Sequence, residues 1–178
     1  MMMPLLTPPL KYRVAPQHHT QSRRFAAPYA HGAKRQQVYL NTLAIAVVNA
    51  CLQDLGVETR LEQSPGWQWQ HQALTTVAEL LIPNYGMLAC VPILAGEVVF
   101  VLPPGDQVGC VVVQFDPEFR YGTLLGFYRG SARVGDDVAI AALQDFNVLL
   151  EQLPEQGAIA IIESPAQTQL GGWVEPVP

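Results

Sequence analysis

A chain of 178 residues, 49% apolar and only 14% charged, can bury a core of its own as one domain and needs no metal or disulfide to fold. Six of its ten basic residues and none of its acids fall within the first 35 positions, so that stretch carries +6 and the rest −11. A body of that sign repels polyphosphate and leaves nucleic acid only the N-terminal arm. No apolar run reaches the roughly 18 residues of a membrane span, and the proline-broken start does not read as a secretory signal.

Residues 1–31 read as a basic arm, because prolines at 4, 8, 9, 16 and 28 interrupt any long helix. Tyr12, Val14, Phe25 and Tyr29 are the side chains able to anchor it. Residues 33–55 then run without Gly or Pro, with Leu43, Val47, Ala50, Cys51 and Leu55 at three- and four-residue spacings and Gly56 as a stop, which predicts a long helix gripped on most sides. Lys34 and Arg35 oppose the dipole at its start and place the regular helix nearer Gln36.

VETRLE (57–62) alternates like a strand, and Ser64-Pro65-Gly66 makes a turn. WQWQHQALTTVAEL (67–80) fits strand and helix equally. From Leu80 onward short β-prone runs at 80–83, 86–94, 98–103, 109–116 and 121–129 are separated by turn formers, predicting an antiparallel meander or a small, partly closed barrel. Residues 138–153 make either one helix capped by Asp136 or Asp137, or a strand over 138–143 and a short helix from Gln144. GAIAIIESP (157–165) reads as a final strand and 169–178 as a loose end. The fold class expected is therefore α+β: one long N-terminal helix on a mainly antiparallel, barrel-like sheet, with a second, shorter helix near the C-terminus. The domain proper spans 32–168.

No reaction centre is legible. Cys51, Cys90 and Cys110 sit singly in apolar runs, a setting for buried thiols in a reducing compartment. The histidines, His18, His19, His31 and His71, have no metal-ligand spacing, the serines lie in no nucleophile elbow, and the glycines form no phosphate loop. We therefore expect no catalytic residue, metal or cofactor. Asp116, Glu118 and Arg120 are the one set an enzyme reading would use, and solvated turn acids explain them as well. Trp67 and Trp69, two large rings with little charge around them, suit an interface centre or a core. Phe119, Arg120, Tyr121, Phe127 and Arg129 cluster in sequence, and Phe119, Tyr121, Phe127 and Arg129 share a side if β-alternation is unbroken by a bulge.

The segments VYLNTLAIAVVN (38–49), LGVETRLEQSPGWQ (55–68), VAELLIPNYGMLACVPIL (77–94), VGCVVVQFD (108–116) and TLLGF (123–127) together resemble DUF1822, a cyanobacterial domain of unknown function. The likeness runs over residues 33–130. The chain departs from the family pattern at Val91, where an Arg is common, at Leu80, and at 105–108, which replace a longer acidic loop. The resemblance implies a cyanobacterial, cytoplasmic protein with a regulatory or assembly role, and it carries no catalytic residue over.

The reading of function that follows is a noncatalytic module that binds a protein partner or a second copy. Its contact candidates are Trp67, Trp69, Arg120, Tyr121 and Arg129 on the body. Arg23, Arg24, Lys34 and Arg35 of the arm are the candidates for docking on an acidic surface. A small-molecule enzyme and nucleic-acid binding through the arm are the alternatives.

Overall fold

The computed structural model describes residues 9–30, 32–105, 107–130 and 132–153. The stretch expected as an arm without long helices holds β1 (Leu10–Arg13) and an eleven-residue helix, α1 (Pro16–Ala26). The prolines allow this because of where they fall. Pro16 occupies the first turn of α1, where a missing N–H loses no helical partner, and Pro28 lies just beyond the C-cap Ala27. His18 reaches back so that its Nδ1 accepts the Ala15 N–H at 3.3 Å. Burial, with His19 adding to it, keeps the His18 ring below its ordinary pKa and so in the neutral form that accepts.

The long helix, α2 (Gly32–Asp54), is present as expected. Every residue from Asn41 to Asn49 is buried, because α2 lies between the sheet on one side and α1 on the other. Its polar groups are paired locally: Asn41 Nδ2 donates to Thr76 O at 3.1 Å and Thr42 Oγ1 to Val38 O at 2.7 Å. The helix starts at Gly32, four residues before Gln36. Lys34 does not stand unrelieved against the dipole, since its ammonium donates to Thr75 O at 3.0 Å and to Gln37 Oε1 at 3.3 Å.

Residues 57–62 are not a strand. The chain there forms irregular backbone and two 3₁₀ turns, Leu61–Gln63 and Pro65–Trp67, before a single turn of helix, α3 (Trp69–Gln72). What holds the segment is two point contacts on the next strand, β2 (Ala78–Ile82). Arg60 N–H donates to Leu81 O at 2.9 Å, and Ser64 Oγ accepts the Leu81 N–H at 2.8 Å while donating to Arg60 O at 2.7 Å. An edge that would otherwise expose unpaired groups is thereby covered.

The strands β3 (Gly86–Leu94), β5 (Gly109–Phe115) and β6 (Tyr121–Tyr128) complete a five-stranded sheet of order β1-β6-β5-β3-β2. The barrel expectation is corrected here: β1 and β2 form two separate edges and do not pair, so the sheet is open. Nor is it a meander. β3 and β5 run parallel, from Leu88↔Gly109 to Leu94↔Phe115, while the other pairings are antiparallel. The run at 98–103 leaves the sheet as the crossover and forms β4 (Val99–Val101), which pairs with β7 (Asp137–Ala139) in a separate ribbon. The parallel pair is covered on both faces, which is why β3 and β5 read as near-continuous apolar runs. Leu88, Cys90, Val111, Val113 and Phe115 face α2. Ala89, Val91, Ile93, Cys110 and Val112 face Phe100 and Val138 of the ribbon.

A bulge sits in β6. Val112 pairs with Gly126 and Val113 with Leu124, leaving Leu125 without an opposite residue. Alternation reverses across it, so Tyr121 is exposed and Phe127 wholly buried, and the shared side expected for Phe119, Tyr121, Phe127 and Arg129 does not exist. Residues 138–143 divide between β7 and a 3₁₀ turn, Ile140–Ala142. The last helix, α4 (Phe146–Gln152), is capped by Asp145, whose Oδ1 accepts the Asn147 N–H at 2.8 Å, and not by Asp136 or Asp137. The expected strand at 157–165 and the end at 169–178 lie outside the described residues.

Candidate functional site

The predicted contact residues are dispersed. Trp67 is half-buried and meets Phe25 of α1 edge-on at 5.4 Å between ring centres. Trp69 is 54% exposed, and its carbonyl accepts Tyr29 Oη at 3.3 Å. Arg120 and Tyr121 stand beside β1: Val14 N–H donates to Arg120 O at 2.8 Å and Lys11 Nζ lies 4.4 Å over the Tyr121 ring. Arg129 lies beyond the far end of β6, roughly 25 Å along the strand from Tyr121, and reaches Gln152 Oε1 at 3.5 Å. No single surface holds all five.

The acidic set at the β5–β6 turn is a turn and little else. Asp116 Oδ1 accepts the Tyr121 N–H at 2.7 Å and Glu118 pairs with Arg120 at 2.7 Å, both partners well exposed. Desolvation works to raise the Asp116 pKa, but backbone N–H donors around the turn outweigh it and hold the carboxyl below its usual value. A general acid needs the opposite shift. The three cysteines are buried and unpaired. Burial pushes the Cys51 and Cys110 thiols up to about 11 and raises Cys90 further, with Cys110 and Glu79 adding to it, so none is a thiolate near neutral pH. Among the described residues no group of three His, Cys, Asp or Glu gathers as a metal site requires.

The arm cations behave differently. Arg23 and Arg24 occupy the last turn of α1, where the dipole favours cations. Arg35 is in the first turn of α2, one residue beyond Lys34. Among the described residues none of these four forms an ion pair with a carboxylate; Lys34 is engaged by Thr75 and Gln37. Arg23 and Arg35 instead flank a cleft of about 540 Å³ between α1 and α2, floored by Ala26, Tyr39 and Phe119.

Each wall of the cleft follows from local sequence. Arg35 and Tyr39 are four apart on α2 and share a face; Arg23, Ala26 and Ala27 do so at the end of α1. Tyr39 Oη is held by His19 Nδ1 at 2.6 Å. Burial raises the Tyr39 pKa, and Arg23 only partly offsets it, so the phenol is neutral. Phe119 comes from the β5–β6 turn and is the surprise. Its φ of +53° lies in the left-handed region, uncommon for so bulky a side chain and strained by about 1 kcal/mol. In that conformation its ring meets Tyr39 edge-on at 5.9 Å and Phe115 at 6.3 Å. Sequence reasoning named Arg23 and Arg35, and their spacing to Ala27 and Tyr39 was available. Phe119 joins only through the tertiary fold.

A second concavity, a groove of about 990 Å³, runs between the first half of α2, the end of β3 and the whole of β4. Val98, Val99, Val101 and Val134 are exposed there. No helix among the described residues is long and apolar enough to cross a membrane.

A family model described as "Protein of unknown function (DUF1822)" matches residues 13–169. No curated protein and no solved structure matches the chain.

Proposed function

The chain belongs to the DUF1822 family, and from that premise we propose that it is a noncatalytic protein-interaction module whose α1–α2 cleft takes an acidic peptide segment with an apolar side chain. The observation that carries this reading is the pair Arg23 and Arg35, two guanidiniums without a carboxylate partner among the described residues at the mouth of an apolar cleft. Arginine forks suit carboxylates geometrically as well as electrically. The first turn of α2 adds the positive end of a 23-residue helix. Tyr39 and Phe119 offer ring faces and edges to an apolar side chain between the two cations. The strained Phe119 turn fits the same reading, because strain of this kind concentrates where a ring must be aimed.

Protein is the preferred partner over nucleic acid, since the remainder of the chain is strongly negative and a long polyanion would meet that field outside the cleft. A regulatory or assembly role in the cytoplasm of a cyanobacterium is part of the proposal. The three buried free thiols suit a reducing compartment.

The test is fluorescence anisotropy of the full chain with labelled twelve-residue peptides that hold one Leu or Phe and vary the number of flanking Asp and Glu. Affinity is expected to rise with each carboxylate, to fall with salt, and to drop by about tenfold or more in R23E/R35E, since charge-assisted contacts are worth roughly 1.5–3 kcal/mol each. Equal binding of acidic and neutral peptides, or an unaffected double variant, removes the cleft from consideration.

A further inference from the structure

The two edges of the five-stranded sheet are finished differently. At β2, Arg60 N–H and Ser64 Oγ take up the Leu81 carbonyl and N–H. At the other edge β1 is the last strand and pairs only with β6, from Leu10↔Leu124 to Arg13↔Tyr121. The bond from Val14 N–H to Arg120 O sets its phase. Leu10, Tyr12 and Val14 turn their backbone groups toward β6, and Lys11 and Arg13 turn theirs outward. Among the described residues no loop or second strand takes up those outward groups.

The side chains alternate in step. Leu10 and Tyr12 are half-buried against the core on the α2 side, and Lys11 and Arg13 are exposed on the opposite face. Tyr121 lies opposite Arg13, is 38% exposed and carries Lys11 Nζ 4.4 Å over its ring. Among the described residues neither cation pairs with a carboxylate. Cations on an edge keep two copies of that edge apart, because antiparallel pairing about Lys11 and Arg13 sets like charges opposite one another. The same charges favour a strand of the other sign. Carboxylates at its alternate positions meet Lys11 and Arg13 on one face, and its intervening apolar side chains continue the row of Leu10 and Tyr12 on the other.

We propose that the β1 edge is a second binding site, which takes an extended acidic segment of a partner protein as an added strand, with Asp or Glu alternating with apolar residues. A peptide is the fitting occupant because its backbone meets both the N–H and the C=O groups of Lys11 and Arg13. A phosphodiester chain accepts from the N–H groups and has no regular donor for the carbonyls. The site shares no residue with the α1–α2 cleft, so either reading can fail alone.

The test is amide hydrogen exchange of the full chain, followed residue by residue by NMR, with and without a nine-residue peptide of alternating Glu and Val. The peptide is expected to slow the Lys11 and Arg13 amides by about tenfold or more, and equally in R23E/R35E, where the cleft is disabled. In K11E/R13E its affinity should fall by about tenfold or more, while the β5 amides keep their protection and show the fold intact. Methylating the peptide nitrogens of either all the Glu or all the Val residues keeps every charge, and one of these two forms should lose binding. Unchanged exchange at Lys11 and Arg13 overturns the proposal, as does protection that disappears in R23E/R35E or survives in K11E/R13E. Full binding of both methylated forms reduces the edge to a patch of charge, and equal protection by a single-stranded oligonucleotide of the same charge assigns it to nucleic acid; each overturns the proposal. Protection without peptide that grows with protein concentration gives the edge to a second copy and overturns it equally.

Discussion

Single residues in this protein are governed by burial more than by charge. Cys51 and Cys110 show it in a form that titrates. Their thiols are raised from 9.0 to about 11 in the fold, because a thiolate there would lack water. The unfolded chain ionises first, so stability is complete below pH 9 and is lost as the pH rises toward 11. With one pKa unit near 1.4 kcal/mol, each thiol contributes on the order of 2 to 3 kcal/mol to that loss. Thermal melts across this range should fall steeply, and C51A/C110A should lessen the fall, leaving the part that Cys90 carries. A thiol reagent at pH 8 should modify the cysteines only after unfolding. Cysteine type and apolar neighbours made this much legible in the sequence. The Phe119 backbone was not legible, since a left-handed φ at a bulky residue is tolerated only when the surrounding packing compensates for it.

At the scale of elements, the edge of β2 turns on one side chain. Ser64 is fully buried, donates to Arg60 O and accepts from Leu81 N–H. Ser64→Ala leaves the Leu81 N–H buried without a partner and should lower the unfolding free energy by about 1–3 kcal/mol. A urea midpoint measures this. A loss below about 0.5 kcal/mol would mean that water reaches the strand edge. The same contact explains why residues 57–62 mislead. VETRLE has the alternation of a strand, yet its neighbour on β2 is met by two hydrogen bonds and a proline turn, not a ladder. Long β-runs such as 86–94 and 109–115 were legible because both of their faces are buried. α1 was not, because the position of Pro16 relative to the helix start decides whether a proline breaks or begins it. The ambiguous stretch 67–80 resolves into a turn of helix and a strand, and the split follows from Gln72. Its buried amide donates to Gly66 O at 2.8 Å and to Thr42 Oγ1 at 3.2 Å, fastening the short helix to α2.

For the whole molecule, residues 9–30 are part of the packing. Val14 and Ala26 are buried, β1 completes the β6 edge, and α1 covers one side of α2. Removal of residues 1–29 should uncover α2 and cost on the order of 5 kcal/mol, comparable with the total stability of an ordinary domain. Circular dichroism and sedimentation should then show an unfolded or aggregated product. An unchanged melting temperature would make the segment a dispensable arm after all. The same packing places Arg23 and Arg35 at the α1–α2 cleft, so that part of the N-terminal charge acts at a defined place in the structure.

The amino-acid sequence by itself determined the long helix, the β-prone core strands, the buried thiols and the charge asymmetry, because each is a matter of local composition and periodicity. Only the tertiary structure decided that the sheet stays open, that β3 and β5 run parallel, and that Arg23, Arg35, Tyr39 and Phe119 share a cleft. Those outcomes depend on which distant segments exclude water together, and neither spacing along the chain nor composition encodes that directly.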